Sequence, residues 1–142
     1  MATFVVDASV TLAWCFADEA IAWTDGLLDR LRAGDNIAVP AHWPTEVSNG
    51  LLMAVRRQRI QPDQPNLFWD ELAVLPIDVE SALSPYQAKV VLGLSRQFEL
   101  TVYDAVYLEL AKRRGIPLAT LDSALLVAAA PAGVSLIKAT KR

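Results

Sequence analysis

The chain has 142 residues, 54% of them apolar, with a net charge of −3, one cysteine and one histidine. A lone Cys15 and a lone His42 leave no Cys/His zinc cluster and no disulfide framework. Acidic or basic residues interrupt every long apolar run, so nothing reaches the roughly 20 residues that span a bilayer. The length suits a single domain over 1–142.

In chain order, the short β-rich run Thr3-Phe4-Val5-Val6 predicts a buried parallel strand over 3–7, with Asp7 at its carboxyl end. The chain opens directly on this strand, with no basic region and cleavage site ahead of it, and the expectation is a cytoplasmic protein. Helices are expected over about 9–17 and 20–32, followed by a strand at 37–39 that stops at Pro40. Pro44 suits the first turn of a helix over 44–58, which places Glu46 at its entrance. A helix near 63–73, a strand over 74–77 and a helix over 84–97 come next. Thr101 is positioned to cap a helix over 102–114, setting Asp104 in its first turn, where the helix dipole favours an anion. A strand over 116–121, a helix over 122–130 opened by Asp122 and closed by Pro131, and a strand over 134–137 complete the order. Such alternation predicts an α/β fold, a parallel sheet with helices on both faces.

Each of Asp7, Glu46, Asp104 and Asp122 then falls where a strand passes into a helix. In an open parallel sheet those junctions share one edge. A single acid at a helix start is more often a cap than a ligand. Four brought together repel one another unless a cation sits between them, and oxygen donors point to Mg²⁺ or Mn²⁺. The glycines have neither phosphate-loop nor dinucleotide spacing, which removes the main alternative phosphate chemistry.

Net negative charge argues against a nucleic-acid substrate, but setting the four acids aside leaves +1. Basic residues cluster in Arg56-Arg57-Gln58-Arg59, in Lys112-Arg113-Arg114 and in the 138–142 tail, either as solvated helix ends or as a rim around an acidic centre. Ser9, two residues beyond Asp7, and Thr120, two before Asp122, are candidates to orient a carboxylate or a water, or are caps. Asn49, three residues beyond Glu46, can bind substrate phosphate or fix the glutamate, or is a polar surface residue. Tyr103 and Tyr107 read as packing residues, and His42 as a packed or exposed loop residue. Trp14, Phe16, Trp23, Leu27, Leu28 and Leu31 read as core at helical spacing, with a partner-binding groove as the rival.

The segments Phe4-Val5-Val6-Asp7-Ala8-Ser9, Thr45-Glu46-Val47-Ser48-Asn49, Tyr103-Asp104-Ala105 and Thr120-Leu121-Asp122 together resemble the four acidic motifs of PIN-domain ribonucleases. In length and motif order the chain most resembles the VapC-type toxins of toxin–antitoxin pairs. The resemblance implies a three-layer PIN-like fold and cleavage of RNA dependent on Mg²⁺ or Mn²⁺. It also implies a homodimer inhibited by an antitoxin. On this reading Asp7 and Asp104 are direct metal ligands, with Glu46 and Asp122 completing the shell or acting through water. The rivals are a DNA- or structure-specific nuclease on the same fold and a non-catalytic binding module.

Overall fold

The computed structural model describes residues 1–16, 18 and 21–138. The elements are β1 (Thr3–Val6), α1 (Ala8–Cys15), α2 (Ala22–Arg32), β2 (Asn36–Val39), α3 (Trp43–Arg56) and α4 (Gln64–Ala73). They continue with β3 (Ile77–Val79), α5 (Pro85–Phe98), α6 (Val102–Arg114), β4 (Leu118–Ala119) and α7 (Ser123–Ala132). The strands form one parallel sheet in the order β3-β2-β1-β4.

β1 and β2 lie inside the sheet, and their apolar runs have no polar face because both faces are covered. Phe4, Val5, Val6, Ile37, Ala38 and Val39 are all fully buried. On one side α1 packs against α2 and α3, and α3 against α4; on the other α6 packs against α5 and α7. Both α1 and α6 touch β1, so the sheet lies between two helical layers. This is the expected three-layer α/β arrangement.

The differences from the sequence expectations have local causes. The strand expected at 74–77 begins at Ile77. Val74 and Leu75 instead finish the turn of α4, with the Leu75 N–H donating to the Leu72 carbonyl, and Pro76 has no N–H to give to a ladder. β4 is shorter than 116–121 because the N–H groups of Leu121 and Asp122 donate to the Ser9 and Thr120 hydroxyls rather than to a strand. The strand expected at 134–137 is reduced to one bridge between Leu118 and Leu136. Pro131 does not close α7, which runs to Ala132 and ends at Gly133 in the left-handed conformation (φ 81°). In the last turn proline deprives only the Val127 carbonyl of its partner, and Val127 is exposed to water. The tail residues 139–142, part of the expected basic cluster, lie outside the described residues.

Candidate active site

The strand order reverses direction between β1 and β4: from β1 the chain moves outward to β2 and β3, then returns to β4 on the opposite flank. Such a switch point opens a crevice at the carboxyl ends of the two strands. Asp7 follows β1 there, and Thr120, Leu121 and Asp122 follow β4. Glu46 enters from β2, in the first turn of α3. Asp104 corrects the expectation of four strand-to-helix junctions, since α6 is preceded by α5 and not by a strand. It still reaches the same edge, because α6 feeds the start of β4 and must therefore begin at the carboxyl side.

Asp7 is almost fully buried (4% exposed) and caps α1. Its Oδ1 accepts from the Ser9 hydroxyl at 2.5 Å and from the Val10 N–H at 3.2 Å. Its Oδ2 accepts from the Thr120 hydroxyl. Both hydroxyls are fixed from behind: Ser9 Oγ accepts from the Leu121 N–H at 3.0 Å and Thr120 Oγ1 from the Asp122 N–H at 2.9 Å. The β4–α7 turn thus sets the orientation of a carboxylate 113 residues away in sequence. Asp122 caps α7, accepting from the Leu125 N–H at 3.0 Å.

Glu46 is held on one oxygen. Tyr107, 1% exposed, donates its hydroxyl to Oε1 at 2.6 Å. His42 Nε2 lies 3.0 Å from the same atom but off the line of a hydrogen bond. The His42 ring is also packed edge-on to Tyr107, with ring centres 5.2 Å apart. Sequence reasoning missed both residues as members of the site. The available signal was spacing, since Tyr107 is three residues from Asp104 on α6 and His42 four from Glu46, each on the same helical face. Tyr103, in contrast, is 65% exposed and not a packing residue. Asn49 is exposed one turn beyond Glu46.

The electrostatics follow from this crowding. Burial pushes the Asp7 carboxyl above its ordinary value, against its hydrogen bonds, and the charge of Asp122 adds to the rise. Asp104 is raised by burial, then by Asp122 and Glu46. Burial also pushes Glu46 upward, but the contacts from His42 and Tyr107 outweigh it and leave the carboxyl below its ordinary value. Four acids therefore sense one another with no Lys or Arg paired to any of them among the described residues.

Among the described residues no three acidic, His or Cys side chains close into a ready-made cation cage. The donor set nevertheless fits a hard divalent cation. Mg²⁺ is characteristically held by one or two carboxylates and keeps several waters, and a desolvated, mutually repelling group of carboxylates is what such a charge relieves.

Two hollows flank the acids. One of about 430 Å³ includes Ser9, Leu12, Gly50, Arg57 and Leu121 and adjoins Asp7 through Ser9. The other, about 330 Å³, includes His42 and Tyr103 and adjoins Glu46 through His42. The basic clusters differ in their availability. Arg113 is paired with Glu109 and Glu80, and Arg114 with Asp78. Arg59 pairs with Asp18 and lies over the Phe16 ring. Arg57 is exposed and has no ion pair among the described residues. In the apolar helices Phe16, Leu27 and Leu31 belong to the core, while Trp14, Trp23 and Leu28 are only partly buried. Trp14 and Leu28 line a hollow of about 150 Å³ with Phe68, Val74 and Leu75.

Comparison with known proteins bears on the fold. The structure is similar to PAE2754 from Pyrobaculum aerophilum, with 25% identity, a TM-score of 0.68, and coverage of 90% of this chain and 87% of that one. It is similar in fold to VapBC2 from Rickettsia felis, solved bound to a DNA fragment from their promoter, with 13% identity, a TM-score of 0.69, and coverage of 96% and 98%. FitAcB from Neisseria gonorrhoeae shares the fold at 14% identity and a TM-score of 0.60, covering 97% of each chain. No curated protein matches the sequence. The family model of the PIN domain matches residues 4–131, and the chain belongs to the PIN-domain family.

Proposed function

We propose that this PIN-domain chain is an endoribonuclease that hydrolyses RNA phosphodiester bonds with Mg²⁺ or Mn²⁺, and that it is the toxin of a toxin–antitoxin pair. The observation that carries the reading is the gathering of Asp7, Glu46, Asp104 and Asp122 about the sheet's switch point with no Lys or Arg paired to any of them among the described residues. A divalent cation bound there supplies an activated water and neutralises charge on the reacting phosphate. Asp7 and Asp104 are the direct ligands. Ser9 and Thr120 hold Asp7 in one orientation, so its remaining lone-pair direction is fixed before any ligand arrives. Tyr107 holds Glu46 through Oε1, beside which His42 lies, and Oε2 is left for other partners. Glu46 and Asp122 complete the shell directly or through waters, and Asn49 meets a substrate phosphate. Arg57 lines the hollow beside Ser9 and offers a charge to the incoming backbone.

Similarity in fold to VapBC2 and FitAcB supports a protein partner. We place an apolar segment of that antitoxin on the Trp14 and Leu28 hollow; Leu27, being core, is not part of this surface. The active form is a homodimer, acting in the cytoplasm.

The test is cleavage of RNA and DNA oligonucleotides of one sequence, first in EDTA and then with Mg²⁺, Mn²⁺ or Ca²⁺. RNA should be cut with Mg²⁺ or Mn²⁺ and poorly with Ca²⁺, whose looser shell suits in-line chemistry less well. Asp7→Asn should abolish cleavage in a protein that still folds. Equal cutting of DNA would move the assignment to a DNA-directed nuclease. Failure to bind any of these cations by calorimetry would favour a non-catalytic binding module.

A further inference from the structure

The hollow beside His42 has a chemistry unlike that of the acidic edge it adjoins. Pro40, Leu83, Val102 and Val106 give it apolar walls, and Tyr103 stands at its rim, 65% exposed, immediately before Asp104 in sequence. The Tyr103 and His42 ring centres are 5.8 Å apart, so two aromatic rings line the hollow where His42 meets Glu46. Gln87 lines it as well; its Oε1 accepts from the Ser84 N–H at 2.9 Å, which leaves both amide N–H groups without a partner among the described residues. The guanidinium lining this hollow, Arg113, is already held by Glu80 and Glu109 and is not free to bind an anion.

We propose that this hollow receives an unpaired nucleobase of the RNA strand, stacked on Tyr103 and hydrogen-bonded at its edge by the Gln87 amide. A base has two apolar faces and a polar rim, and the hollow offers apolar walls, an aromatic platform and amide donors. A phosphate or an acidic peptide would meet Glu80 and Glu109 with no spare cation, whereas the hollow on the far side of the acids carries Arg57. The strand then runs with its backbone across the carboxylates and one base turned aside. Single-stranded RNA is characteristically read through bases splayed out and stacked on aromatic side chains.

This inference rests on the proposed ribonuclease reading, and the experiment separates the two. Binding of a fluorescein-labelled RNA oligonucleotide is measured in EDTA, where no cleavage occurs, and KM and kcat are measured with Mn²⁺. Tyr103→Ala should weaken binding by about 5- to 150-fold, the range for loss of one base–aromatic stack. The loss should appear in KM rather than kcat, and Tyr103→Phe should restore it. An abasic nucleotide at one position beside the cut should weaken binding to the wild-type protein by a similar factor, and Tyr103→Ala should then add nothing. Equal binding by wild type and Tyr103→Ala, or indifference to abasic substitution at every position, would overturn the proposal. So would loss of a co-purifying protein partner from Tyr103→Ala with RNA binding intact, since the hollow would then seat a peptide. RNA bound with this pattern but never cut would instead sink the ribonuclease reading and leave the base site standing.

Discussion

Asp7 and Asp122 each cap a helix and each face the same crevice, so the choice between cap and ligand posed by the sequence is not exclusive. The acids were legible in sequence because a carboxylate at a strand end or helix start stands out against apolar neighbours. Tyr107 was not, because its partner Glu46 lies 61 residues away and a tyrosine inside the apolar run of α6 looks like any packed aromatic. Linkage gives a first prediction. The folded-state pKa of Asp104 lies above its unfolded value, so the stability it contributes is present below the unfolded pKa, about 3.9, and is lost as pH rises through the folded value. Asp104→Asn carries no such loss. In EDTA its Tm should therefore exceed that of the wild type at pH 7, with the gap closing towards pH 4; a gap that stays constant with pH would refute the repulsion. A second prediction concerns the hydroxyls behind Asp7. Thr120→Val keeps shape but removes the donor, and Mn²⁺ affinity by calorimetry should fall about 10- to 100-fold, as for other groups that orient a ligand. Unaltered affinity would mean that Thr120 serves the backbone turn alone.

Element boundaries were legible where capping chemistry marks them. Thr101 caps α6 as expected, and α5, expected over 84–97, starts at a reciprocal box of Ser84 and Gln87. Strand ends were less legible, because pairing depends on which N–H groups are diverted, and the shortening of β4 follows from hydroxyls on a distant helix and on its own turn. The α1–α3 contact was invisible in the sequence for the same reason. A Cβ at Gly50 would lie 2.5 Å from Cδ1 of Leu12, so a side chain there requires the Leu12 side chain to shift. Gly50→Ala gains about 1 kcal/mol of helix propensity, but overpacking a tight contact typically costs about 1–3 kcal/mol. A lower Tm is expected, and a larger drop for Gly50→Val. A rise in Tm for the alanine variant would show that Leu12 simply rotates away.

For the whole molecule, alternation of strands and helices was enough to predict a parallel three-layer fold, since parallel strands need crossovers and crossovers cover both faces. Strand order was not legible; it arises from packing that no local pattern encodes, and it is what turns a shared edge into a crevice between β1 and β4. Charge was also only half legible. Clusters of arginine are evident in sequence, but Arg113 and Arg114 are consumed by Glu80, Glu109 and Asp78, whereas Arg57 has no ion pair among the described residues. The two capping acids belong to opposite layers, Asp7 at the head of α1 and Asp122 at the head of α7. A cation bridging them would staple those layers together across the end of the sheet. The Val10 and Leu125 amide protons, which donate to these carboxylates, should then exchange with solvent more slowly when Mg²⁺ is added and regain their rate on chelation. Hydrogen-exchange NMR at those two positions would count loaded molecules with no substrate present, and unchanged rates at saturating Mg²⁺ would mean that the ion does not join the layers.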